Sequence, residues 1–412
     1  MYGRNIKNKT QLRVSKGEPH MIKQSYKQPA FGLVFSSLLV ISACGNSESN
    51  NASAENTAWL EQANLEANET PEELYEAAKE EGKVVVYSQS SRIKDVKASF
   101  EKEYPGIQVE AFDLGTIEIV EKVTREQEAG LNTADVVFVK DGGGIVSGEL
   151  VNEGMLHKYA PDDLVENLDA PFLDEPGLPF YFSTRAIFVN TEVYDESPIT
   201  NWWDLTDEKW KSNIVMDDPL LSSDTLDLLT TIVQNADDME AAYKDKYGKD
   251  IELNGTDHAG YEFIKQLLAN DPVFVSSGDE VVEAVGTPGQ ENPPVGITTS
   301  SKSRHIEEQG YKAEFLYDVE PKMSVAGTSY LYMANQAEHT AAAKLLIRWM
   351  AGEADGQGEG FRPYNVPGSW STRTDVSVEG QRSSDELDLW PYDGEYLYEH
   401  SNEVRNFILE NQ

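Results

Sequence analysis

The stretch Lys83-Val84-Val85-Val86-Tyr87-Ser88 places four large apolar residues in succession, between Gly82 and the polar run Gln89-Ser90-Ser91-Arg92. A strand with one wet face would alternate, so an uninterrupted run of this length predicts a parallel strand covered on both sides. A helix precedes it: Thr70 supplies a cap hydroxyl, Pro71 the first helical position and Glu73 the third, and Gly82 ends it. Beyond Ser88 helices and strands alternate. A helix near 92–103 closes before Pro105, Ile107-Gln108-Val109-Glu110 reads as a strand, 116–129 as a helix closed by Gly130, and Ala134 to Val139 as another buried strand. Strand and helix in turn predict a doubly wound α/β sheet, with ligands held at the carboxyl ends of its strands. The same alternation returns later, with strands Ile214-Val215-Met216 and Pro294-Val295-Gly296-Ile297 and helices near 224–234 and 258–269.

Upstream, a basic leader (Arg4, Lys7, Lys9, Arg13, Lys16, Lys23, Lys27) precedes an apolar run from Phe31 to Ala43. As a helix these thirteen residues span about 20 Å, against the roughly 30 Å of a bilayer core, so an export signal is expected over residues 1–43 rather than a permanent span. Either Met1 or Met21 serves as its start. Ile41-Ser42-Ala43-Cys44 resembles the lipobox of bacterial lipoproteins, in which the chain is cut before the cysteine and the thiol carries diacylglycerol. Cys44 is the single cysteine of 412 residues, so the folded body is expected to be free of disulfides. Residues 44–69 are rich in Asn, Ser, Glu and Ala and read as a flexible tether. The formal net charge is −38, which repels nucleic acid and anionic headgroups. An adaptation to high salt or high pH is the plainer reason for it than attraction of cations.

The blocks "EEGKVVVYSQSS" (80–91), "VKASFEKEYPGIQVE" (96–110), "ADVVFVKDGG" (134–143), "LVNEGMLHKY" (150–159), "FSTRAIFVNTEVY" (182–194), "TNWWDLTDEKWKSNIVMDDP" (200–219) and "AAAKLLIRWMAG" (341–352) occur in this order. Together, across residues 72–378, they resemble the extracellular solute-binding proteins that feed ABC importers, in family 1 and the subgroup named for ferric-ion binding. The resemblance implies a two-lobed periplasmic-binding-protein-like fold (type II), with hinge crossings and an intervening ligand cleft. It also implies a monomeric receptor without cofactor or resident metal, which delivers a small solute to a permease and its ATPase from the outer face of the cell membrane. Lobe one is placed at 70–185 and 313–412, including the C-terminal helices, and lobe two at 186–312. The strand from Phe180 to Val189 crosses outward, and Lys312 to Leu316 with Tyr330 to Met333 form the way back. Gly356 to Gly368 resembles a family loop at the cleft or over it, and Tyr396 to Leu409 reads as a packed amphipathic helix.

Ferric-ion binders of this resemblance use adjacent tyrosines, often with a histidine and a glutamate from lobe one. Here no Tyr-Tyr pair occurs, Ser90 and Ser91 follow the first strand where histidine would stand, and Lys140 falls near the glutamate with Asp141 the only acid of its loop. The loops expected at the cleft carry hydroxyls instead: Ser90-Ser91-Arg92, Ser222-Ser223-Asp224-Thr225, Ser276-Ser277-Gly278 and Thr298-Thr299-Ser300-Ser301-Lys302. Hydroxyls and backbone N–H groups at helix starts, with Arg92, Arg185 or Lys302 as the cation, suit a small anionic or phosphorylated organic solute. Ordinary N-capping explains each loop taken singly. The expected ligand residues are Ser90, Ser91, Arg92, Lys140, Asp141, Tyr181, Arg185, Asp218, Ser222, Ser223, Thr225, Ser300 and Ser301. Ferric iron or a polyamine are the alternatives. The second would use an aromatic and acidic cage of Trp202, Trp203, Asp204, Asp217, Asp218 and Tyr181, although packing is the simpler role of both tryptophans. A lipid-anchored extracellular hydrolase is the alternative of another class. The sequence carries no His-Glu-x-x-His, no G-x-S-x-G and no P-loop to support it, and no enzyme activity is expected.

Overall fold

A computed structural model describes residues 56–412. The signal peptide expected over 1–43 and the lipidation site Cys44 lie outside the described residues. The apolar run is strand β1 (Lys83–Ser88). Its side-chain parity explains its composition, because Val84 and Val86 enter one core cluster while Val85 and Tyr87 enter another across the sheet. Strands β2 (Gln108–Asp113) and β3 (Val136–Lys140) flank it in parallel. β3 divides in the same way, Val136 and Phe138 to the first cluster and Val137 and Val139 to the second. The helix before β1, Pro71–Glu81, has the full capping box: Thr70 Oγ1 accepts from the Glu73 N–H at 3.2 Å and Glu73 Oε2 accepts from the Thr70 N–H at 3.0 Å. Thr70→Ala is expected to cost about 1 kcal/mol, read as a lower urea midpoint.

The remaining strands are β4 (Leu156–His157), β5 (Leu178–Asn190), β6 (Ile214–Asp217), β7 (Val273–Val275), β8 (Val295–Thr299), β9 (Ala313–Phe315), β10 (Ser324–Ala334), β11 (Trp370–Ser371) and β12 (Leu389–Trp390). The sheet runs β2-β1-β3-β10-β5-β8-β6-β7. β5 is the pivot. From Leu178 to Thr184 it pairs antiparallel with β10, and from Arg185 to Asn190 with β8 and β9. Its outer half builds a new two-sided core, with Ile187 and Val189 on one face and Ala186 and Phe188 on the other. The polar triplet Ser183-Thr184-Arg185 lies between the two cores. The result is a two-lobed α/β fold of the periplasmic-binding-protein type, joined by strands that run from one lobe into the other.

Several expectations need correction. The stretch 44–69 is not all tether: residues 56–63 are helical, Trp59 Nε1 donates to Ala337 O at 3.2 Å, and Glu69 pairs with the buried Lys344 at 2.7 Å. Trp59 and Leu65, which pack against the first core cluster, the buried Ala63 and the paired Glu69 do this, a signal that average composition dilutes. The return crossing is β10 alone, since β9 pairs with Phe188 to Asn190 of β5 inside lobe two. The C-terminal helix Gly394–Asn411 sends Val404 and Ile408 into the lobe-two core with Trp390, while its first turns lie against Gly144, Gly148 and Glu149 of lobe one, so it bridges the lobes rather than belonging to lobe one alone. A further helix, Ala236–Tyr247, buries Met239, Ala242 and Tyr243, a short i, i+3, i+4 face in an otherwise charged segment that the sequence reading passed over. Trp202 and Trp203 do pack in the core. The indole of Trp203 donates to Met239 O at 2.8 Å and meets Phe263 edge-on at 5.3 Å.

Candidate ligand site

Three helix starts face one another between the lobes. The loop after β1 leads into helix Ile93–Glu103, Gly115 and Thr116 open helix Thr116–Glu128, and Leu221 to Asp224 open helix Ser223–Gln234. Each turn follows a strand of its lobe, so strand ends and positive helix ends converge on the same space. They enclose a cavity of about 440 Å³ whose lobe-two wall is completed by Thr299, Ser301, Lys302 and Arg304. Tyr181 and Ser183 of the pivot strand close it between them.

Two guanidinium groups dominate its charge. Arg92 donates to Ser90 Oγ at 3.1 Å, to Pro363 O at 3.2 Å and to Tyr181 Oη at 3.2 Å. It lies over the ring of Tyr364 at 4.7 Å and that of Tyr181 at 5.6 Å; the two rings are themselves stacked at 5.5 Å. Arg304 donates to Ser301 O at 2.5 Å. Among the described residues neither arginine is in an ion pair with a carboxylate, and all of these partners are neutral. Burial, followed by the charge of Arg92, lowers the pKa of the Arg304 guanidinium. The other two cations are neutralised: Lys302 pairs with Asp279 at 2.9 Å and Lys140 with Asp224 at 3.0 Å.

The thirteen residues expected to contact ligand divide. Ser90, Ser91, Arg92, Lys140, Tyr181, Ser222, Ser223 and Ser301 line the cavity. Arg185 lies just beneath it, in a small void of about 20 Å³ that Lys140 and Asp224 also line. Its guanidinium meets Asp217 at 2.5 Å and Ser222 Oγ at 2.7 Å. The other four are turned to structural work. Asp141 accepts from Val146 N at 2.8 Å and from Ser147 Oγ at 2.5 Å, and burial raises its pKa despite these bonds. Asp218 caps the turn at Leu220 N at 2.8 Å, and Thr225 is fully buried against Ser222 Oγ at 3.1 Å. Ser300 Oγ accepts from Thr184 N at 3.0 Å and donates to Gly368 O at 2.6 Å. Of the four hydroxyl loops, Ser276-Ser277-Gly278 stays off the cavity, where Ser277 caps helix Gly278–Gly286.

Sequence reading missed Arg304, Thr116, Asp224 as an acid of the wall, and Tyr364. Tyr364 lies in the segment 356–368, whose resemblance to a family loop puts it at the cleft or over it. No local motif marks it, because its role depends on meeting Tyr181 and Arg92 from distant parts of the chain. The proposed polyamine cage is not assembled: Asp204 is bound by Lys246, Asp217 by Arg185, and both tryptophans are in the core. Among the described residues no group of three or more His, Cys, Asp and Glu side chains is placed to hold a metal ion.

Behind the cavity Asp227 meets the Gly143 N–H at 3.0 and 3.1 Å. Burial first, and the neighbouring Asp224 charge second, raise its pKa well above the usual carboxylate value. A raised carboxyl keeps its proton in the folded chain when the unfolded chain, near pKa 3.9, has lost it. Its contribution is therefore complete below about pH 4 and fades as pH rises toward the folded value, by at most about 1.4 kcal/mol per pH unit. In urea titrations across this range, Asp227→Asn is expected to show a smaller loss of stability with rising pH than the parent chain.

Residues 85–357 match the family described as bacterial extracellular solute-binding protein. No curated protein sequence matches the chain. Among solved structures, iron-bound HitA from Pseudomonas aeruginosa is similar over 80% of this chain and 99% of its own, with 15% identity and a TM-score of 0.62. AfuA from Actinobacillus pleuropneumoniae with exogenous fructose-6-phosphate bound covers 80% and 97% at 20% identity and TM-score 0.58. The spermidine/putrescine ABC transporter substrate-binding protein PotD from Streptococcus pneumoniae covers 80% and 98% at 17% and 0.56. At such identities the likeness is one of fold. Among the described residues no helix is long and apolar enough to cross a membrane. The chain belongs to the bacterial extracellular solute-binding proteins, a family of binding components that work with an ABC permease and its ATPase rather than a class of enzymes.

Proposed function

We propose that the protein captures a small anionic or phosphorylated organic solute between its lobes and presents the closed form to its permease. The observation that carries this reading is the pair Arg92 and Arg304, two cations on the cavity wall with only neutral partners. In a chain with 72 acidic and 34 basic residues, four basic and two acidic side chains line this cavity. Helix starts and hydroxyls around it supply the donors that a phosphate or carboxylate needs. A ligand bridging both lobes stabilises the closed form by contacts the open form lacks. Calorimetric titration with hexose phosphates, phosphonates, ferric iron with bicarbonate, and spermidine tests it. Saturable binding of a phosphorylated solute is expected. Binding of spermidine alone, or of iron with a visible charge-transfer band, would replace it.

The leader and Cys44 support a lipid anchor at the outer face of the cell membrane, with the chain acting as a monomer. Cys44→Ser is expected to abolish incorporation of labelled palmitate and to release the protein from the membrane fraction. Retention of either property overturns the anchor.

A further inference from the structure

Asp224 stands in the cavity wall with no role in the anion reading, and its charge is the wrong sign for one. Its Oδ2 is 3.0 Å from Lys140 Nζ, at the end of β3 in lobe one, and 3.4 Å from Arg185 Nη2 on the pivot strand. Arg185 is already engaged by Asp217 at 2.5 Å. The four side chains form a neutral square beneath the cavity, two cations against two carboxylates. Burial opposes ionisation of Asp224, but the charges of Lys140 and Arg185 prevail and hold its pKa below the ordinary value. The side chain keeps 28% of its surface exposed and lines the cavity wall. Arg92 and Arg304, which line the same cavity from lobe one and lobe two, make no such ion pair among the described residues.

We infer that Asp224 is a specificity-determining residue, a built-in counter-anion that occupies Lys140 and Arg185 and so restricts the cleft to solutes with one anionic group, bound at Arg92 and Arg304. The inference rests on the anion reading above and extends it from the sign of the ligand's charge to its number. A solute with a single phosphate places it on the unpaired guanidiniums and turns its neutral end toward the square. A solute with a second phosphate must bring that group against the Asp224 carboxylate. Like charges a few ångströms apart in a half-buried site discriminate by roughly tenfold or more.

The test compares a hexose monophosphate with the corresponding hexose bisphosphate by calorimetry at fixed ionic strength, for the parent chain, Asp224→Asn and Asp224→Glu. The parent is expected to prefer the monophosphate. Asp224→Asn frees Lys140, and the ratio of affinities should shift roughly tenfold toward the bisphosphate. Asp224→Glu keeps the charge and should keep the preference, which separates a charge effect from a change of shape. The double variant Asp224→Asn with Lys140→Met should give back most of the shift, because the freed cation is gone. An unchanged ratio in Asp224→Asn, with monophosphate still bound by the parent, overturns the assignment of Asp224 alone. Failure of the parent to bind any phosphorylated hexose overturns this inference, and failure to bind phosphonates as well overturns the anion reading with it. A shift of equal size in Asp224→Glu also overturns the assignment. Matching thermal transitions of the four proteins without ligand establish that folded molecules are being compared.

Discussion

Gly368→Ala is expected to destabilise the fold by about 3–5 kcal/mol, the range that only a named steric or packing defect reaches. Gly368 sits at φ +76°, and a Cβ there would lie 1.9 Å from the backbone oxygen of Ser300 and 2.4 Å from its carbonyl carbon. Neither atom belongs to a side chain that can swing away. The contact is held closed from both sides: Ser300 Oγ donates to Gly368 O at 2.6 Å, and the Gly368 N–H donates to Gln381 Oε1 at 2.6 Å. Ser300 is bonded in turn to the Thr184 N–H of the pivot strand, so relief of the clash would have to move the 300–304 segment that carries Ser301 and Arg304. Gly380 is the control. It has the same sign of φ, +79°, with nothing within 4 Å of the added atom, so Gly380→Ala carries only the cost of a left-handed alanine, about 1 kcal/mol. Equal urea midpoints for the two variants would show that the close approach at Gly368 is not a constraint.

The fold was legible where composition and period coincide. In β1 and β3 every residue between the ends is apolar because each face has its own core, and that pattern is visible in one dimension. In β5 the polar triplet Ser183-Thr184-Arg185 interrupts the apolar run between Leu178 and Val189, a mark that the sequence reading did not use. Elements stabilised by partners far away in the chain stayed hidden. Helix Gly394–Asn411 could be read as a helix, but its apolar stripe does not say which lobe it covers, and the answer rests on contacts with helix Ser223–Gln234 and on Gln234 donating to Asp393 at 2.7 Å. Two-residue strands such as β4 and β12 carry no period at all.

Site residues divided along the same line. Helix starts announce themselves through Ser, Thr and Asp, so the loops at Ser90, Ser222 and Ser301 were found. Whether a hydroxyl then faces ligand or its own helix is a matter of one torsion angle, and Thr225 and Ser300 face inward. Acids were the least legible, because 72 of them in one chain make any single carboxylate uninformative until its partners are known. Asp141 looked like the acid of its loop yet secures the turn at Ser147, whereas Asp224 looked like a helix-start residue yet faces two cations.

The second large effect concerns Arg304, and its diagnostic feature is a pair of opposite signs. Removing the Arg304 guanidinium, which makes no close ion pair with a carboxylate among the described residues, relieves a desolvation cost and a repulsion from Arg92 that together outweigh the pull of Asp279 and Glu308 and lower its pKa. Arg304→Ala is therefore expected to leave the stability of the ligand-free protein unchanged or to raise it by up to about 1 kcal/mol, despite the lost bond to Ser301 O. Binding should move the other way. A charge-assisted contact to a desolvated anion is worth about 2–3 kcal/mol, so affinity for a phosphorylated solute should fall roughly 30-fold to 150-fold. Arg92→Ala makes a useful contrast, since Arg92 also holds Pro363 O, Tyr181 and the ring of Tyr364. Its loss should weaken binding at least as much and destabilise the ligand-free protein as well. Arg304→Lys restores the charge without the planar fork and should recover only part of the affinity. Calorimetry for binding and urea midpoints for stability, measured on the same preparations, read both signs. If Arg304→Ala lowers stability and leaves affinity within threefold, Arg304 is a structural residue and the uncompensated charge of the cleft is not what holds the solute.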